Sequence, residues 1–101
     1  MIYTLPMNIG GFDWDSGNWP KCAEHGVSRE EIEQVLADAR IAPDPKRSQQ
    51  EARYIAVGRN GAGRPMFVAF AVRWREGQFF IRPISARYMH AKEVKRYEES
   101  T

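Results

Sequence analysis

The sequence predicts an α+β domain: a small antiparallel sheet of about four strands, with two N-terminal helices ahead of it and one C-terminal helix behind. Three observations carry this expectation. The runs Arg53 to Arg59, Pro65 to Arg75 and Gln78 to Ile84 are rich in β-branched and aromatic residues, and Asn60-Gly61-Ala62-Gly63 and Glu76-Gly77 separate them as hairpin signals. Between Ser28 and Ala39 the apolar residues recur at helical spacing. From Ile81 to Tyr97 the pattern passes from strand-like to helix-like, so the last strand runs into a closing helix.

Residues 1–10 are expected to form a flexible leader, after which residues 11–101 make one domain. Asp15 and Asn18 could each cap a short first helix through Glu24, with Pro20 in its first turn and Gly26 ending it. Ser28-Arg29-Glu30-Glu31 is a capping box for a second helix. Its stripe of Ile32, Val35, Leu36 and Ala39 lies against the sheet, while Glu30, Glu31, Glu33 and Asp38 face water. Ile41 to Pro43 reads as a short edge strand and the following KRSQQE as a polar loop. Along the middle β run, Met66, Val68, Phe70, Val72 and Trp74 alternate with Phe67, Ala69, Ala71 and Arg73. The first set packs on the helices and the small-residue face stays free. His90, Glu93, Val94 and Tyr97 share one face of the closing helix.

Bulk properties narrow the function classes. The net charge of +2 conceals an asymmetry: up to Ala52 there are five Lys/Arg against nine Asp/Glu, and from Arg53 onward ten against four. A basic second half points to a polyanion partner, most simply nucleic acid. Cys22 stands alone, which excludes an intramolecular disulfide and suits a reducing, cytoplasmic setting. No apolar run approaches the length of a membrane span, and the N-terminus lacks the basic start of a secretion signal. Ser85, Arg87 and Tyr88 fall at the strand-to-helix joint, where guanidinium groups and a helix N-terminus can meet a phosphate.

Four spaced motifs together resemble one family. They are Phe12-Asp13-Trp14-Asp15 with Asn18; Lys21, His25, Gly26, Val27 and Ser28; Arg53-Tyr54-Ile55-Ala56-Val57-Gly58; and Ile84-Ser85-Ala86-Arg87 followed by Glu93 and Tyr97. Over roughly residues 12–98 the chain is similar to BrnT, the toxin of a type II toxin–antitoxin pair. That resemblance implies a RelE-like fold, ribonuclease activity that blocks translation, and a BrnA-type antitoxin that masks the toxin and brings it to DNA. One position departs: His90 stands three residues before Glu93, where the family carries a Ser/Thr cap, so His90 is either an imperfect cap or a titrating group.

A ribonuclease that works without metal must deprotonate a ribose 2′-OH, stabilise the phosphorane and protonate the leaving oxygen. Arg53, Arg82 and Arg87 are the cations expected to hold the phosphate, Arg87 additionally because it ends the family's Ser-Ala-Arg element. Lys21, His25 and Glu93 complete the expected catalytic set, with Ser85, Tyr88 and His90 on the substrate side. Lys21 is placed one turn before His25 on the same face, and Glu93 beside Tyr97. Tyr88 either stacks on a base or packs on the sheet. The carboxylates and the two histidines lack the short paired spacing of metal ligands, so neither metal nor cofactor is expected. The reading is a ribonuclease toxin silenced by an antitoxin. The alternative is a non-catalytic interaction module that binds a DNA-binding partner for autoregulation.

Overall fold

The computed structural model describes residues 9–47 and 49–100. Its centre is a five-stranded sheet ordered β1-β5-β4-β3-β2, with β1 Ile9–Phe12, β2 Arg40–Pro43, β3 Arg53–Arg59, β4 Pro65–Arg75 and β5 Gln78–Tyr88. Neighbours β2 to β5 pair antiparallel, whereas β1 lies parallel to β5 at the edge. Helix α1 (Arg29–Ala37) packs on one face, and α2 (Ala91–Glu99) follows β5. The core lies between α1 and the sheet, where Ile32, Val35 and Leu36 meet Met66, Val68, Phe70 and Ile81, all buried.

This corrects the expected four-stranded antiparallel sheet with two helices before it: the sheet is mixed and has five strands, and a single α-helix, α1, stands between β1 and β2. The extra strand is β1. Gly10 and Gly11 look like loop punctuation in the sequence, but here the missing side chain serves packing. A Cβ on Gly10 would fall 2.6 Å from the Phe80 ring, so glycine lets that ring cover the strand. Of the leader expected over residues 1–10, residues 1–8 lie outside the described residues, and 9 and 10 belong to β1.

The expected first helix is a five-residue 3-10 helix, Lys21–His25, with no side-chain cap. A segment this short gains little from α-helical nucleation. Asn18 is also taken away from capping. Its buried amide donates to the carbonyls of Asp13 at 2.9 Å and Pro83 at 2.8 Å, and its oxygen accepts from the Asp15 N–H at 2.9 Å. The loop is thereby fastened to β5, and Gly26 closes the 3-10 helix in the left-handed conformation.

The Ser28 capping box forms, with both reciprocal bonds made by Glu31. Glu31 does not face water as expected, because its Oε2 accepts from Tyr88 Oη at 2.6 Å and Asn60 Nδ2 at 2.8 Å. Glu33 is likewise occupied, accepting from Trp14 Nε1 at 2.8 Å. In β4 the large-residue face is buried through Phe70, but Trp74 is 68% exposed. A bulge in the β4–β5 ladder falls at Ala69/Phe70, opposite Pro83 to Ser85. Pro83 has no N–H to donate, and Ile84 becomes the extra residue.

Candidate functional site

The sheet face away from α1 is arranged in rungs across β3, β4 and β5. Arg53, Ala71 and Arg82 make one rung; Ile55, Ala69 and Ser85 the next; Val57, Phe67 and Arg87 the third. Small alanines at the middle of the first two rungs leave the centre of the face low, so the flanking side chains stand around it. The 3-10 helix closes one end. The result is a hollow of about 200 Å³ lined by Lys21, Arg53, Arg73 and Arg82, with Glu51 and the backbone around Pro83.

Four cations from four separate elements thus border one space. Their charge is partly answered. Arg82 forks onto Asp15 with both contacts at 3.0 Å, and its Nη1 lies 3.4 Å from the buried Asp13 carboxylate, which also meets Arg75 at 3.2 Å. The Arg82 hydrogen bond holds the Asp15 carboxyl below its ordinary value and, reciprocally, raises the guanidinium pKa. Arg73 is ion-paired with Glu51. The carboxylates already in place orient the guanidinium forks.

Arg87 lies on this face but not in this hollow. The Arg82 and Arg87 rungs are four residues apart on β3 and on β4, about 13 Å at about 3.3 Å per residue. The Arg87 guanidinium forks onto Glu93 with both contacts at 2.9 Å and covers the Phe67 ring at 4.7 Å. Glu93 also accepts from the His90 N–H at 2.8 Å at the start of α2. The Arg87 hydrogen bond, helped by that N–H, pulls the Glu93 carboxyl down to about 2. The expected Glu93–Tyr97 pairing is replaced by this one, and the Tyr97 ring instead meets Arg40 at 4.8 Å and Arg59 at 5.3 Å.

The remaining expected residues scatter. His25 is exposed at the end of the 3-10 helix and does not line the hollow that Lys21 lines. Their shared face assumed α-helical geometry; at three residues per turn, positions four apart point about 120° from each other. Tyr88 sits on the α1 side of the sheet, opposite Met66, with its hydroxyl on Glu31 and its ring under Arg64. The Glu31 hydrogen bond pushes its phenol pKa up. Ser85 is exposed on the middle rung, and His90 is exposed with Nδ1 3.5 Å from Glu93. The structure therefore brings together Lys21, Arg53 and Arg82, and groups Arg87, Glu93 and His90 separately.

Arg73 and Glu51 line the hollow without having been singled out in the sequence. A cation following the small residues Ala69 and Ala71 on one face of β4 was the signal for Arg73; nothing marked Glu51 within its polar loop. Cys22 is buried at 1% exposure, and burial pushes its thiol pKa up, which suits a small core residue. Among the described residues no three His, Cys, Asp or Glu side chains stand close enough to hold a metal ion. Nor is any helix among them long and apolar enough to cross a membrane.

Comparison with curated proteins gives no significant match. Residues 14–93 do match the family model described as "Ribonuclease toxin, BrnT, of type II toxin-antitoxin system", a span that takes in the cationic hollow and the Arg87–Glu93 pair. With most of its length matched, the chain belongs to the BrnT family of ribonuclease toxins of type II toxin–antitoxin systems.

Proposed function

We propose that the chain is an endoribonuclease that cleaves RNA without a metal ion, and that the hollow bordered by Lys21, Arg53, Arg73 and Arg82 receives the scissile phosphate. The observation that carries this is the convergence of four cations from the 3-10 helix, β3, β4 and β5 on one space of about 200 Å³. Guanidinium forks and an ammonium so placed can stabilise the charge that builds on a phosphorane. Glu51 is the carboxylate lining the same space and is our choice for the base that takes the 2′-OH proton. Lys21, which lines the same space, is our choice for the acid that donates toward the leaving oxygen. Arg87 and Glu93 act on this reading by seating α2, with Ser85 on the surface the strand crosses between the two groups. Cleavage of messenger RNA would block translation, and a BrnA-type antitoxin would silence the toxin and carry it to DNA.

The test is to incubate the purified, partner-free chain with RNA in excess EDTA. Cleavage is expected, and intact RNA would refute the metal-independent mechanism. Arg53→Ala should lower kcat/KM by about tenfold to a hundredfold, or about 1.4 to 2.8 kcal/mol of transition-state stabilisation. Arg87→Ala should act less on the chemical step than Arg53→Ala; the reverse order would move the site to the Arg87–Glu93 pair.

A second reading draws support from the carboxylates already seated on Arg82 and Arg87. These pairs suit a non-catalytic module that binds a DNA-binding partner. Expression of the chain alone separates the two, since a nuclease arrests growth and a pure interaction module does not.

A further inference from the structure

Between α2 and the open sheet face lies a second cavity, of about 340 Å³. Ile55, Val57, Phe67 and Tyr97 give it mainly apolar walls, and Arg40 and Arg96 stand at its rim. Helix α2 has no buried residue. It is held by Arg87–Glu93, by Arg59–Glu98 at 3.2 Å, and by the Arg40 and Arg59 contacts to Tyr97, so the space beneath it is open.

Resting on the ribonuclease reading above, we propose that this cavity is a base-binding subsite, holding an unpaired nucleobase next to the phosphate in the cationic hollow. Continuity is the first reason. Ile55 and Arg53 are successive residues on the same face of β3, about 7 Å apart at about 3.4 Å per residue, a span that a base attached through its sugar to that phosphate can cross. Chemistry is the second: a nucleobase has apolar faces and a polar edge, and single-stranded RNA is commonly recognised by splaying bases into aromatic and arginine-lined spaces. Charge is the third, because Arg40 and Arg96 at the rim complement the next phosphate of a polyanion.

Ala42 lies exposed on β2 directly across from Ile55 and lines the cavity, so Ala42→Trp fills its mouth from an exposed position. Val57→Phe fills it from the floor. The probes are a defined oligoribonucleotide, the same strand with one abasic residue on either side of the cut, and its 2′-O-methyl form for binding. Wild type should lose about tenfold in kcat/KM on one abasic strand, the scale of removing one stacked base. Both filled variants should lose a similar factor on the intact strand, shift its cut sites, and respond little to the abasic change, with a thermal midpoint close to wild type.

Unchanged cut sites and 2′-O-methyl binding in a folded Ala42→Trp protein overturn the subsite. Unchanged cutting combined with lost inhibition by antitoxin also overturns it, assigning the cavity to protein. Binding of the 2′-O-methyl strand that weakens in the filled variants, alongside wild type that never cleaves RNA, sinks the nuclease reading while the subsite stands. Wild type that neither binds nor cleaves RNA overturns both.

Discussion

Asn18 shows how one side chain sets the shape of the hollow. The 3% exposed Asn18 amide makes two hydrogen bonds inside the loop before the 3-10 helix, to Asp13 and Asp15, and a third to Pro83 in the bulged part of β5, which ties the loop beside the hollow that Lys21 and Arg82 line. Asn18→Ala leaves two carbonyls and an N–H without their partner, and should cost about 2 to 3 kcal/mol in urea unfolding. A loss below a few tenths would show that the loop relaxes freely. On the nuclease reading, Asp15 bears on affinity rather than shape. Asp15→Asn removes the charge competing for Arg82, so RNA should bind several-fold tighter at low salt, with a steeper salt dependence measured by titration. Unchanged affinity would mean that Arg82 does not meet the strand. Lys21, Arg53 and Arg82 were legible as candidates because cations are readable one at a time; the Asp15 carboxylate that pairs with Arg82 was not, because the two are distant in sequence.

At the level of elements, the β4–β5 hairpin turns on Glu76 and Gly77, with φ of 53° and 80°. Two positive φ values in succession suit a two-residue turn, and Glu is a poor occupant of the first. Glu76→Asn should add roughly 0.5 to 1 kcal/mol and raise the melting temperature by a few degrees. A lowered midpoint would mean that Glu76 makes contacts worth more than the strain. Helix boundaries were readable for α1, where the capping box and the Ile32, Val35 and Leu36 stripe coincide with burial. Neither β1 nor the 3-10 helix was readable in the same way. A four-residue strand with two glycines has no periodicity to detect, and a five-residue helix is too short to show one.

For the molecule as a whole, the depressed carboxylates make stability depend on pH. Glu93 is held by Arg87 at about 2, and Asp15 lies below its ordinary value because of Arg82. Burial pushes Glu31 up, but its bonds from Tyr88, Ser28 and Asn60 outweigh this and hold it low. Folded values below unfolded ones mean that these groups stabilise fully above their ordinary values, 4.5 for the glutamates and 3.8 for Asp15, and lose that contribution as pH falls through the folded values, about 2 for Glu93. The urea midpoint should therefore drop between roughly pH 5 and pH 2, and Glu93→Gln should flatten part of the slope. A midpoint constant across that range would remove the linkage. The sequence alone determined that the second half is basic and β-rich, that a capped helix covers one sheet face, and which family the motifs resemble, because composition, periodicity and motif order are local properties of the chain. Only the tertiary structure decided that Lys21, Arg53, Arg73 and Arg82 share a hollow while Arg87 stands apart with Glu93. That outcome depends on strand register, on the bulge beside Pro83 and on the Asn18 anchor, each of which joins residues far apart in the chain.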